Sequence, residues 1–347
     1  MLTLASAATK LRAQNPTLKL GYDTYSIRAW NWKAMQHLDF ASKAGLTAIQ
    51  ISSVGDYEST EPGHLAKVRA SAQEKGILID AGTGCICPTS KSYNHKTNGD
   101  AVDYLIKGLK VAQAVGATSM RCFLGSTEDR YDGKGIEYHI ESTLKTFKAA
   151  RSVAMDSGVK IALENHSGDM QAWELKELIE TAGKEYVGAC LDTGNPIWCA
   201  EHPQVTLEVL APYAVTTHCR DTAIWEHPRG CAAHWTVLGE GSVDMVQIGA
   251  LQKRLCPMTP LHLEIITGRP PRIVPYLEDT FWKGFPKAKA TEFARFLGLV
   301  KQGRPLLTPM VIEDAPGDRV PEYQEALKKQ QLLDLQRSLV YAKQKMI

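Results

Sequence analysis

Along this chain, short apolar runs alternate with longer stretches in which apolar residues return every three or four positions. The short runs, at 18–23, 47–51, 77–81, 118–123, 160–164, 186–192, 214–218 and 261–266, have the length and composition of buried strands. The longer stretches, at 33–43, 63–74, 101–115, 136–155, 171–182, 203–210, 243–255 and near 289–297, carry the spacing of helices packed on one face. Gly45, Gly76, Gly116 and Gly158 follow four of these helices, where a left-handed residue commonly ends the last turn.

Strict strand–helix alternation implies parallel strands joined by crossover helices. Eight such units are the number that closes a (β/α)₈ TIM barrel. An open doubly wound sheet would be expected to carry a glycine-rich phosphate loop after an early strand, and the sequence has none. The segment 269–286, rich in proline and aromatic residues, reads as a long loop over the C-terminal mouth of the barrel. The expected organisation is a catalytic barrel over 1–300, with an N-terminal arm over 1–17, and a C-terminal helical extension over 301–347. Within the extension, 321–346 forms a charged amphipathic helix, packed on the barrel or placed at a subunit contact.

Composition narrows the function. With 40 basic and 38 acidic residues among 347, the formal charge is +2, which leaves no electrostatic footprint for nucleic acid or for an acidic membrane. The eight cysteines are scattered, several of them in apolar runs, and read as reduced thiols of a cytoplasmic protein. The first residues lack the basic and apolar regions of a signal peptide, and no apolar run is long enough to span a bilayer.

Four consecutive predicted strands end on a metal-type ligand: Glu164, Asp192, His218 and Glu264. The two-residue period of a strand turns each one into the barrel, while Leu163, Leu191 and Leu263 face the helices. Single carboxylates could be structural. Three carboxylates gathered at one end would repel each other at a cost of several kcal/mol per uncompensated ion, which a divalent cation would remove. Three carboxylates and an imidazole suit one such ion, Mn²⁺ foremost, with Mg²⁺, Co²⁺ or Zn²⁺ as alternatives.

Over roughly 18–300 the chain resembles the xylose isomerase-like superfamily of sugar phosphate isomerases and epimerases. The resemblance rests on Glu164-Asn165-His166, on Leu191-Asp192-Thr193-Gly194-Asn195 and on His218-Cys219-Arg220-Asp221. It also rests on Gly239-Glu240-Gly241-Ser242-Val243-Asp244 and on Glu264. It implies that the Glu, Asp, His and Glu bind one metal. By analogy with ketose 3-epimerases and inosose dehydratases, it implies that Glu164 and Glu264 also serve as acid and base on opposite faces of the substrate. The expected reaction removes a proton α to a carbonyl and passes through a metal-stabilised enediolate. Return of the proton elsewhere isomerises or epimerises a sugar or keto-sugar, and loss of a β-oxygen makes the enzyme a lyase on 3-oxo-glycosides, C-glycosides included. Many ketose 3-epimerases have a histidine where this chain has Asn195, which can bind a hydroxyl but cannot act as an imidazolium acid.

His166, on the same strand face as Glu164, is a candidate base or an orienting residue. Asn195, Arg220, Asp221, His234 and Glu240 are the candidate substrate contacts, while His262, deeper in its strand, reads as a core histidine. Trp198, Trp225, Trp235 and Trp282 fall near the mouth loops, where they either stack on a sugar or pack the loops. The expected partner is a small sugar or glycoside, with no nucleic acid and no membrane. A homo-oligomer, or a small partner subunit under the lyase reading, fits as well. An apurinic-site endonuclease with this barrel would need extra histidines on strands two to four for a zinc cluster, and a basic groove. Strands two and three supply no such histidines, and the near-neutral charge supplies no groove. A non-catalytic sugar-binding barrel would have no need of the Glu164 and Glu264 pair.

Overall fold

A computed structural model of the chain describes residues 18–306, 311–314 and 316–347; the expected N-terminal arm lies outside these residues. The strands run β1 (Leu20–Tyr22), β2 (Ala48–Ile51), β3 (Leu78–Cys85), β4 (Ser119–Phe123), β5 (Lys160–Glu164), β6 (Val187–Asp192) and β7 (Ala214–His218). They continue with β8 (Asp221–His227), β9 (Gly230–Thr236), β10 (Leu261–Leu263) and β11 (Arg272–Val274). Strands β2 to β7 form one parallel sheet in sequence order, and β1 pairs with β10 in parallel. Bridges Asp23↔Gln50 and Cys219↔Leu263 join these two sheets at both seams, so the eight parallel strands close into a TIM barrel.

Helices cover the barrel as the apolar spacing requires. Ala101–Val115 buries Leu105, Leu109, Val111, Ala112 and Val115, is capped at its start by Asp100, and ends at Gly116 with φ 80°. Ile136–Ser157 buries Ile136, Phe147, Ala150 and Ala154. No helix among the described residues is long and apolar enough to cross a membrane. All eight cysteines are buried and unbridged.

The inside of the barrel is partly polar. Asp80 on β3 accepts hydrogen bonds from Ser119 (2.7 Å), Thr216 (2.8 Å) and His262 Nε2 (2.9 Å). Each of these groups is buried, so each needs the others, because an unpaired polar group in such a place costs roughly 1–3 kcal/mol. Gly21 makes room for this layer: a Cβ there would meet Ala48 O at 2.4 Å and His262 Nδ1 at 2.6 Å.

Two regions read as loops contain strands. The segment after β7 is the hairpin β8–β9, turned at Pro228-Arg229, because its register pairs His227 with Gly230. Within 269–286, β11 adds antiparallel to β9 and a short helix forms over Asp279–Trp282. The resulting three-stranded sheet stands beside the barrel mouth.

Helix Ala290–Gln302 crosses the expected boundary at 300. Helix Pro321–Lys345 packs within the chain against the mouth loops. Lys328 O accepts from Trp30 Nε1 (2.9 Å), Gln331 accepts from Ala29 N (2.9 Å), Asp334 accepts from Thr267 (2.6 Å) and Ser338 accepts from Leu238 N (3.2 Å).

One buried carboxyl outside the predicted ligand set makes stability depend on pH. Glu201 is 2% exposed and accepts from Ala172 N and Thr206 Oγ1. Burial outweighs these bonds and pushes its pKa from 4.5 to about 7. Between those values the folded protein keeps a proton that the unfolded chain has released. The stabilisation is therefore complete below pH 4.5 and is lost as pH rises through about 7, at about 1.4 kcal/mol per pH unit. Glu201→Gln is expected to match the parent in urea unfolding near the lower value and to exceed it above the upper one. A difference that does not change with pH would contradict this.

Candidate metal centre and active site

The barrel register sets the four candidate ligands at one level. Asp192 pairs across β6–β7 with His218, Phe123 pairs across β4–β5 with Glu164, and Glu264 follows the last residue of β10. One donor atom from each of Glu164, Asp192, His218 and Glu264 lies within 4.8 Å of all the others. From His218 Nδ1, the carboxylate oxygens of Glu164, Glu264 and Asp192 are 3.2, 3.3 and 3.7 Å away. Ligand bonds of ~2.1 Å in octahedral geometry place neighbouring donors ~3 Å apart and opposite ones ~4.2 Å apart, so the spacing and the donor chemistry fit a small divalent ion.

The charges on these groups reflect the crowding. Burial opposes ionisation of Glu164, but Arg121 and His218 outweigh it and hold the carboxyl well below its usual range. Burial likewise works against Glu264, and Arg220 and His218 bring it down to about 2. For Asp192 burial wins over Arg220, and with Glu164 and Glu264 alongside, the pKa rises to about 7. Around His218 burial is overcome by the surrounding negative groups, which draw its pKa above the ordinary value. A cation is favoured at this point.

The imidazole of His218 is oriented from below. Gln50 Oε1 accepts from His218 Nε2–H, Gln50 Nε2 donates to Thr216 Oγ1 (2.8 Å), and Thr216 donates to Asp80. This chain fixes the amide of Gln50 and turns Nδ1 toward the carboxylates, where it would ligate a metal ion once its proton has left. Gln50→Leu is expected to lower metal affinity roughly 10–100-fold, the usual cost of losing an outer partner of a ligating histidine. Titration with Mn²⁺, followed by the paramagnetic signal of the free ion, measures it. An unchanged affinity would show that the bond does not orient the ligand.

Above the cluster opens a cavity of about 520 Å³. His166, Arg220, His234 and Glu264 line it, as do Trp198 and Trp235, whose rings meet edge to face at 5.5 Å. The ring of His166 stacks on Phe123 at 3.8 Å, and its Nδ1–H donates to Gly125 O at 2.7 Å, which leaves Nε2 with its lone pair. Asp169 holds this turn by accepting from His166 N (2.8 Å) and Gly125 N (3.1 Å). Burial, opposed by Glu164, brings the pKa of His166 down to about 4, so the ring is neutral at physiological pH.

The expected substrate contacts divide. Arg220 lines the cavity, but its guanidinium is engaged with Asp192, Glu264 and Glu164, so its first role is to balance the carboxylates. Asn195 is turned inward and donates to Glu164 Oε1 (3.1 Å), which makes it a support for a ligand. Neither Asp221 nor Glu240, both expected as substrate contacts, lines the cavity. Asp221 is buried and accepts from the amides of Thr222 (2.7 Å), Gly239 (2.9 Å), Gly241 (3.0 Å) and Val243 (3.3 Å), holding the loop after β9. Glu240 lies on the surface, paired with Arg337 of the C-terminal helix. Trp225 packs on His234 and Trp282 on Phe281 and Phe293, so two of the four tryptophans serve the loops.

Sequence reasoning passed over Arg121, Gln50 and Asp23. Arg121 Nε donates to Glu164 Oε2 at 2.6 Å from inside β4. A lone arginine in the apolar run Met120-Arg121-Cys122-Phe123 was the available signal. Asp23 lies just past β1, and its Oδ2 is buried without a hydrogen-bond partner, 3.5 Å from His218 Nε2.

Comparison with known proteins gives a consistent picture of the fold. A family model described as xylose isomerase-like TIM barrel matches residues 38–272. The 3-oxo-isoapionate decarboxylase of Pectobacterium atrosepticum is 22% identical over 239 residues, covering 65% of this chain and 78% of that protein. A crystal structure of D-psicose 3-epimerase in the presence of D-fructose superposes with a TM-score of 0.60 at 16% identity, over 95% of this chain and 99% of that one. A xylose isomerase-like TIM barrel protein from Mycobacterium smegmatis, in complex with magnesium, gives a TM-score of 0.52 at 14% identity, over 82% and 97% of the two chains.

Proposed function

Because the chain belongs to the xylose isomerase-like TIM-barrel family, we propose that it is a divalent-metal-dependent enzyme that isomerises or epimerises a sugar or keto-sugar by proton abstraction next to a carbonyl. The observation that carries this reading is the cluster of Glu164, Asp192, His218 and Glu264 at the floor of a cavity with polar groups facing inward. A bound divalent ion, Mn²⁺ or Mg²⁺, would supply Lewis acidity and neutralise the charge that develops on oxygen.

The chain's own residues do the rest. Glu264 lines the cavity, Glu164 lies beside it in the same buried cluster, both ionised, and His166 Nε2 offers a neutral acceptor in the cavity wall. One of these groups takes the proton from carbon, and another returns it to the opposite face or to the neighbouring carbon. Asn195 and Arg121 hold Glu164, so its direction is fixed before substrate arrives. Trp198 and Trp235 offer aromatic faces to the apolar side of a sugar ring. The magnesium complex of the M. smegmatis protein and the D-psicose 3-epimerase support this reading by analogy.

A bond-cleaving outcome at the same site is the second reading, supported by the similarity to 3-oxo-isoapionate decarboxylase. Each leaves an electron pair next to a carbonyl, epimerisation by breaking C–H with the proton going to a base, decarboxylation by breaking C–C as CO₂ departs. Incubation of the Mn²⁺-loaded protein with ketoses and 3-oxo sugars in deuterated water separates them. Deuterium on the carbon next to the carbonyl in an epimer or isomer is the expected result, and a released fragment indicates the lyase. For any substrate turned over without label, the same compound deuterated at that carbon is used. The absence of both an isotope effect in a single turnover and label transfer would end the proposal.

A further inference from the structure

The floor and the rim of the cavity differ in their balance of charge. On the floor, three carboxylates, Glu164, Asp192 and Glu264, face two guanidiniums, Arg121 and Arg220, with the His218 imidazole among them. At the rim positive charge prevails. Arg269 and Arg272 both line the cavity. Arg269 lies 3.3 Å from Asp314, but that carboxylate is shared with Arg28 and with Arg319 (3.0 Å), so one negative charge answers three positive ones.

Arg272 has no acidic partner among the described residues. Its guanidinium carbon lies over Trp198, 4.3 Å from the ring centre, on a strand held by the pairing of β11 with β9. An aromatic face takes none of the N–H groups as an acceptor would, so they stay open to an anion. His234 lines the same wall, and its Nε2 is buried without a hydrogen-bond partner. Arg269 and Arg272 thus bring more positive charge to this wall than the neighbouring carboxylate answers, and His234 leaves one buried ring nitrogen beside them for a group that enters with the substrate.

We propose that the substrate carries an anionic group, a carboxylate or a phosphate, that sits at the rim against Arg272, Arg269 and His234 while its carbonyl end reaches the floor. The site takes a sugar acid or a sugar phosphate in preference to a neutral sugar. This rests on the proposed function only for what happens at the floor.

The test uses the Mn²⁺-loaded full chain and three ketoses that differ in charge at the end away from the carbonyl: D-fructose, D-fructuronate and D-fructose 6-phosphate. Calorimetry is expected to show at least one anion binding roughly tenfold or more tighter than D-fructose, as one charge-assisted contact allows. The preferred anion tells carboxylate from phosphate. Arg272→Gln should remove most of that advantage without changing the melting temperature, and added salt should erode it. The proposal is overturned if D-fructose binds as tightly as both anions, if Arg272→Gln keeps the advantage, or if neither anion binds at millimolar concentration. Deuterium uptake by D-fructose without a charge preference would overturn this inference alone. A charge preference with no deuterium uptake by any ketose would leave it standing and count against the proton abstraction.

Discussion

His218→Ala is expected to lose bound metal and with it essentially all turnover, while the protein stays folded. His218 is the one nitrogen donor, and its Nδ1 is within 3.7 Å of three carboxylates, so its removal takes out the centre of the ligand set. The loss of affinity should exceed the roughly 10–100-fold typical of outer partners. Chelation of the parent should give the same inactive, folded state, because the hydrophobic core runs through the whole barrel and does not depend on an ion. Asp192→Ala should also lose metal, but with a further cost. Asp192 accepts from Gly194 N (2.6 Å) and Asn195 N (2.8 Å) and pairs with Arg220, and breaking such a buried pair costs roughly 3–5 kcal/mol. Metal analysis alongside circular dichroism reads both effects. Full metal occupancy in both variants would remove these residues from the ligand set, and global unfolding on chelation would make the ion structural.

His166→Ala should behave differently, with metal retained and the rate lowered by roughly 10²–10⁴-fold, the range for a positioned base. Its Nδ1–H is committed to Gly125 O, so Nε2 is the acceptor that remains, and the ring lies against the cavity. The ring also stacks on Phe123, so a purely supporting role is the competing explanation. The two separate by kinetics. Loss of a base lowers kcat and slows the uptake of solvent deuterium together. Loss of a support raises KM and is repaired by His166→Phe, which restores the stack without a lone pair. Repair by phenylalanine would rule out the base.

The sequence shows which strands end on ligands because an acid or imidazole beside a leucine at the end of a short apolar run stands out. Glu164, Asp192, His218 and Glu264 each meet that description, and closure of the barrel brings them together. Loop residues were harder to read, because their direction depends on pairing partners far away in the chain. Asp221 and Glu240 follow a ligand in sequence but serve the loop and the C-terminal helix. The hairpin β8–β9 had a signal in Pro228-Arg229-Gly230 between two runs with β-formers. The three residues of β11, lying among prolines, had none, yet they carry Arg272 to the rim. Gln50 and Asp80 are single polar positions in apolar strands, and their meaning becomes visible only when the barrel interior brings them to Thr216 and His218.

The pairing of Leu20 with Leu261 has a consequence for how the protein is made. When β1 leaves the ribosome, the strand that will cover its open edge is still unsynthesised. At ~5–20 residues per second, the wait lasts on the order of 10 to 50 seconds. Strands β2 to β7 meanwhile pair in order as they emerge, each with its predecessor. The growing sheet therefore exposes two unpaired edges for most of translation, and both disappear in one step when β10 arrives. That step closes the longest loop in the molecule and is expected to be the slow one in folding. It is also the step that carries Glu264 to Glu164, Asp192 and His218, so the candidate metal site comes into being only as the barrel shuts.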